Sequence, residues 1–171
     1  MQNIDNIKIP EILENMTLEI KAKIAPLNSE DVIMVGIHSG GYWVAEELYQ
    51  KLNLSTTLSS LNISFYRDDF TRIGLHPEVK PSQLPTSLDG KHILLVDDVL
   101  YTGRTVRAAL NELFDYGRPA SVIFCTLIDR GEHELPICAN ITGLHLPLQP
   151  KQQIKLSGPS PLTLNLVSTE K

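Results

Sequence analysis

The sequence predicts a single α/β domain built on a mainly parallel sheet flanked by helices, and three observations carry that expectation. Helical and strand-like apolar patterns alternate through the middle of the chain. The strand-like runs at 32–37 and 92–96 are apolar at nearly every position, as strands covered on both faces are. Loops follow Ile37, Val96 and Ile128, at the carboxyl ends of predicted strands, where ligands gather in such sheets.

Taken in order, Ile12, Leu13, Met16, Ile20 and Ile24 recur at helical spacing and predict an amphipathic helix over 10–24, ended by Pro26. The strand at 32–37 runs into His38, Ser39, Gly40 and Gly41, after which Val44, Ala45, Leu48 and Leu52 mark a second helix. Residues 56–65 read as a strand. The stretch 67–90 is polar and proline-rich without a sustained period, too long for a plain connector, and reads as a flexible functional loop or a hairpin with a disordered tip. A strand at 92–96, a loop at 97–103 and a helix at 104–116 follow, with Val106, Leu110 and Leu113 inward and Gly117 as the stop. Residues 120–128 form another strand, and short strands and turns are expected beyond Pro136. The whole chain, 1–171, is read as one domain with its core at about 30–147.

Composition narrows the class. At 171 residues with 42% hydrophobic and 20% charged residues, the chain can bury a sizeable core. No apolar run reaches the roughly 18 residues of a membrane span, and residues 1–10 lack the basic start and apolar stretch of a secretory signal, so a cytoplasmic protein with no membrane partner is expected. Cys125 and Cys138 lie in apolar surroundings and read as two buried thiols rather than a disulfide. A net charge of −5 argues against a surface built around nucleic acid, though not against a local basic patch.

The segment 93–105 is the informative one. A buried strand delivers Asp97 and Asp98, and a small, hydroxyl-bearing turn then opens a helix. Unpaired N–H groups and the positive dipole end at a helix start favour phosphate. Gly103 lets backbone approach closely, while Thr102 and Thr105 supply hydroxyls. A carboxylate pair cannot hold phosphate but can accept from vicinal ribose hydroxyls. An isolated Asp–Asp pair more often caps a turn, with Thr102 as helix N-cap. Other phosphate motifs fail. The stretch 36–42 has Walker spacing but puts Tyr42 where lysine belongs, no Gly-x-Gly-x-x-Gly opens a helix, and the histidines lack zinc-ligand spacing.

The full pattern, Val96-Asp97-Asp98-Val99-Leu100-Tyr101-Thr102-Gly103-Arg104-Thr105, resembles the phosphoribosyl-pyrophosphate motif of type I phosphoribosyltransferases. With Tyr66-Arg67-Asp68-Asp69, Gly117-Arg118-Pro119, Asp129-Arg130-Gly131 and Glu134-Leu135-Pro136, it is similar to the PyrR family of pyrimidine-operon regulators with uracil phosphoribosyltransferase activity. The resemblance implies the type I fold with a small hood and a flexible loop. It implies binding of 5-phosphoribosyl-1-pyrophosphate (PRPP), with magnesium, by Asp97, Asp98, Tyr101, Thr102, Gly103, Arg104 and Thr105. By the same resemblance His38, Ser39, Gly40 and Gly41 form the pyrophosphate loop, Arg67 and Arg72 fold over the pyrophosphate, and Asp129 and Arg130 belong to the base pocket. His133 reads as a surface residue.

Better-known members resemble Lys-Thr-Arg-Gly where this chain has His38-Ser39-Gly40-Gly41, a loss of two positive charges. Purine-type relatives carry an aspartate at the position of Tyr101, so a pyrimidine is expected. The implied reaction makes UMP and pyrophosphate from uracil and PRPP, in a homo-oligomer that responds to UMP and acts on an RNA leader. The rival expectation is an RNA-binding or regulatory nucleotide sensor with little or no transfer activity.

Overall fold

A computed structural model describes residues 4–63, 81–149 and 151–168. The expected strand at 56–65 and loop at 67–90 fall partly outside the described residues, and Arg67 and Arg72 wholly so.

Helix α1 (Ile9–Ile24) precedes strand β1 (Val32–Ile37), helix α2 (Gly40–Leu52) and the short strand β2 (Ser59–Leu61). Strand β3 (His92–Leu100), helix α3 (Arg104–Asp115), strand β4 (Ser121–Asp129) and strand β5 (Ile141–His145) follow. Strands β6 (Gln152–Ser157) and β7 (Thr163–Ser168) make a separate antiparallel pair. The main sheet has the order β2-β1-β3-β4-β5, with every neighbour parallel.

The continuous apolar runs are explained by two cores, one on each face of this sheet. Side chains alternate along a strand, so Leu94 and Val96 of β3 face α1 and α2, among Met16, Ile20, Val44 and Leu48. Their neighbours Ile93 and Leu95 face α3, among Val106, Ala109 and Leu113. Ile154 and Leu156 bring the β6–β7 hairpin onto the first core. Helix α1 reaches the sheet at β5, where Gly143 lies against Ile12 and Met16. No described helix is long and apolar enough to cross a membrane.

Two expectations need correction. Residues 97–100 are not loop: β3 continues to Leu100, because β4 keeps pairing with it through Asp97–Thr126, Val99–Ile128 and Leu100–Asp129. The cysteines are both free, but only Cys125 is buried, while Cys138 is exposed on the segment that follows Pro136. Local apolar neighbours in sequence do not guarantee burial in an irregular segment that lies over the domain's surface.

Two outcomes follow. Leu94 is fully buried in the first core, so Leu94→Ala should cost about 2–5 kcal/mol of unfolding free energy, read as a lower urea midpoint with unchanged slope. Burial pushes the Cys125 thiol up to about 12, so it stays neutral well past pH 9. A thiol-specific reagent at pH 8 should therefore label Cys138 quickly in the native protein and Cys125 only after denaturation; fast labelling of both would contradict the packing around β4.

Candidate phosphoribosyl site

The order of the main sheet fixes where a ligand can lie. Beyond β1 the chain turns to β2 on one side, and beyond β3 it turns to β4 on the other, so the carboxyl ends of β1 and β3 flank the switch point. Pairing between β1 and β3 ends at Gly36–Val96, whereas β3 and β4 stay paired to Leu100–Asp129. Past Val96, β3 loses one neighbour and keeps the other. Asp97 and Asp98 lie on this half-paired extension.

Asp97 is buried, 3% exposed, and its Oδ1 accepts the Asp98 N–H at 3.0 Å. The space that β1 vacates is filled by the first turn of α2. A side chain on Gly40 would collide with the Asp98 carboxylate, and a Cβ on Gly41 would come within 2.7 Å of the Val96 carbonyl and 2.8 Å of Asp97 Cα. The glycines expected to serve a pyrophosphate loop are thus also the contact that seats α2 on the acid pair. Upstream, the His38–Ser39 peptide is cis, and the His38 N–H donates to the Leu61 carbonyl at 2.9 Å. The His38 ring stacks on Tyr42, with centroids 4.8 Å apart. Burial and the nearby Glu46 carboxylate raise the Tyr42 phenol above its ordinary value, so it is neutral at physiological pH.

After β3 the turn opens α3. Gly103 has φ +89°, a left-handed conformation that a side chain rarely adopts, and it is the N-cap residue in place of Thr102. Thr102, nearly buried, accepts the Arg104 N–H through Oγ1 at 3.3 Å, which leaves its own hydroxyl proton to donate. No acidic residue stands in the first turn of α3, which suits an anion at its amides.

The segment after β4 lies across this turn. The Arg130 N–H donates to the Leu100 carbonyl at 3.0 Å, and the Glu134 and Leu135 N–H groups both donate to the Thr102 carbonyl at 3.1 Å. Leu135 Cβ lies 3.3 Å from the Cβ position of Gly103, a tight contact that adds to the strain a side chain would meet at its positive φ. The Arg130 guanidinium sits 3.9 Å from the centroid of the Tyr101 ring, a cation–π contact, and donates from Nη2 to the Gln152 carbonyl of β6 at 3.1 Å. Its Nε is buried with no hydrogen-bond partner.

Asp129 accepts the Gly131 N–H at 2.8 Å and meets His133 Nε2 at 2.8 Å, both on Oδ1, while His145 Nδ1 stands 3.5 Å from Oδ2. His133, expected at the surface, is partly buried there: its side chain is 19% exposed and held by Asp129. Arg104 is also engaged, donating from Nε and Nη2 to Glu134.

The structure thus brings together the 38–41 loop, the 97–105 segment and the 129–130 pair, while Arg67 and Arg72 lie outside the described residues. Glu134, the Gln152 carbonyl and the role of His133 were missed. Glu134 belongs to a motif that sequence had already marked, but its partner lies thirty residues away, and only the fold shows it. Among the described residues no group of three metal-ligating side chains is gathered.

Comparison with known proteins agrees with this geometry. The family model described as a phosphoribosyl transferase domain matches residues 4–152. The chain is 53% identical over 163 residues to the bifunctional protein PyrR of Nitrosococcus oceani, covering 94% of this chain and 92% of the relative. It is 51% identical to the bifunctional protein PyrR of Pseudomonas syringae pv. tomato, covering 91% and 92%. Among solved structures, a hypoxanthine-guanine phosphoribosyltransferase from Bacillus anthracis superposes with a TM-score of 0.64 at 21% identity over 81% of this chain and 79% of that one. The hypoxanthine phosphoribosyltransferase of Trypanosoma cruzi gives 0.63 at 19% identity, over 81% and 77%. A parallel sheet whose switch point carries an acid pair followed by a glycine-capped helix start, and an identity above one half across nearly the whole length, lead to one assignment: the chain belongs to the phosphoribosyl transferase family and, within it, to the bifunctional PyrR proteins.

Proposed function

We propose that this chain transfers a phosphoribosyl group from PRPP to uracil, giving UMP and pyrophosphate. The observation that carries the reading is the extension of β3 past Val96, which holds two carboxylates beside a helix start shaped for an anion. Asp97 and Asp98 take the vicinal ribose hydroxyls. The 5-phosphate lies on the backbone N–H groups of residues 102–105, with Thr102 and Thr105 adding hydroxyls. Gly40 and Gly41 bring the start of α2, and with it the 38–41 loop, to the pyrophosphate side. Tyr101, Asp129 and Arg130 form the base side.

In the reaction the bond from the ribosyl anomeric carbon to the pyrophosphate oxygen breaks, and the bond to uracil N1 forms as N1 loses its proton. Positive charge builds on the ribosyl carbon in between. The protein's contribution is positioning and charge stabilisation: the acid pair fixes the ring and its negative charge offsets the developing cation. Magnesium would enter with PRPP, and Asp97 and Asp98 are the nearby hard oxygen donors that would help to hold it. Its chemistry there would be to neutralise charge on the leaving pyrophosphate.

The base is a pyrimidine because the position of a purine-handling acid is held by Tyr101, whose ring is covered by Arg130. The bifunctional name of the relatives supports a second activity, which we read as UMP-responsive regulation through an RNA leader by a cytoplasmic homo-oligomer. Arg107 and Arg118 are exposed and could contribute to a local basic patch on such a surface, while Arg104 is engaged by Glu134.

With labelled uracil, orotate, hypoxanthine and guanine offered beside PRPP and magnesium, uracil should be the preferred base. Faster turnover of either purine would overturn the assignment. The Asp97→Asn, Asp98→Asn double variant keeps the shape and removes the charge. A charged hydrogen bond is worth about 1.5–3 kcal/mol, so PRPP affinity should fall at least about tenfold by calorimetry. Unchanged affinity in the folded variant would return the pair to a turn-capping role.

A further inference from the structure

We infer that Arg104 acts in the proposed reaction as a positioning residue, fixing the 130–137 loop through Glu134, and that its side chain is not a phosphate ligand. The inference rests on the transferase reading above and deepens it by assigning Arg104 to the base side of the site.

The contacts between residues 100–104 and the 130–137 loop follow one another along both segments. The Leu100 carbonyl receives the Arg130 N–H, and the Tyr101 ring lies beneath the Arg130 guanidinium. The Thr102 carbonyl receives the N–H groups of Glu134 and Leu135, and Gly103 lies against Leu135 and Ile137. Arg104 closes the series, with Nε at 3.1 Å and Nη2 at 2.6 Å from the same Glu134 Oε2. The loop so held carries Arg130, whose guanidinium covers Tyr101.

A phosphate at the start of α3 is served by backbone N–H groups and the hydroxyls of Thr102 and Thr105, with no requirement for the arginine side chain. That side chain commits two of its N–H donors to a carboxylate. Glu134 in turn touches Arg104 with its side chain and Thr102 with its backbone, so displacing it releases both ends of one short segment. The charges of the pair are about half exposed, at 51% and 52%, so solvent screens them and the effect on binding is modest.

The test uses the full chain with Arg104→Ala, Glu134→Ala, Glu134→Gln and the double alanine variant. In steady-state assays each single alanine should raise KM for uracil about three- to fivefold, the range an exposed ion pair supports, and leave KM for PRPP within about twofold. The double variant should be no worse than the singles, since both remove one contact. Glu134→Gln, which still accepts a hydrogen bond, should fall between wild type and Glu134→Ala. A rise in KM for PRPP in Arg104→Ala that Glu134→Ala does not share would make Arg104 a phosphate ligand and overturn the inference.

Amide exchange supplies an arm independent of turnover. The Glu134 and Leu135 amides should exchange faster in both alanine variants while the Leu94 and Leu95 amides of the core stay protected. Unchanged exchange at 134 and 135 also overturns the inference. A wild-type chain that transfers no ribosyl group to uracil defeats the reading of the reaction instead, with the exchange experiment still deciding what Arg104 does.

Discussion

Everything at the candidate site depends on the unequal pairing of β3. On one edge its partner leaves after Val96, and on the other its partner stays to Leu100. A strand paired on both edges would have no room beside it, and an unpaired one would not hold two like charges in fixed positions. The half-paired extension does both: β4 keeps the backbone straight while the vacated edge admits α2. Burying Asp97 nearly completely is costly unless its oxygens are engaged, and the Asp98 N–H and the close approach of α2 are part of that accommodation.

Much of this was legible from sequence because it is local. The unbroken apolar runs of β1 and β3 announced strands covered on both faces, and the two cores account for them residue by residue. The acid pair with its hydroxyl-bearing, glycine-containing turn announced a turn into a helix, and Gly103 has the positive φ such a turn requires. The end of β3 was misplaced because acids are poor strand formers by propensity, while hydrogen bonding to β4 carries the strand through them anyway.

The rest was illegible because it is non-local. Nothing in the immediate neighbourhood of His133 distinguishes a solvated histidine from one pinned to Asp129. Nothing near Glu134 says that it meets the first residue of α3. The same holds for the hairpin of β6 and β7, whose strands alternate in burial as a one-sided sheet should, but whose Gln152 carbonyl anchors Arg130 only once the chain has folded back. Motif spacing drew attention to these segments, and only tertiary contacts show what their side chains touch.

The contact between Gly40 and Asp98 has a consequence for any attempt to make this chain more like its better-charged cousins. Of the two positive charges missing from the 38–41 loop, one can be reinstated at His38 without disturbing the backbone contact that seats α2. The other cannot be added at Gly40 in the same way, because even the first carbon of an arginine side chain would land on the Asp98 carboxylate. Grafting that charge would require the Asp98 carboxylate to turn aside, whereas at Gly41 the neighbours are backbone and cannot yield in that way. In this chain a bare helix start and a close-set acid pair share one contact, so any side chain at position 40 also sets where the Asp98 carboxylate points.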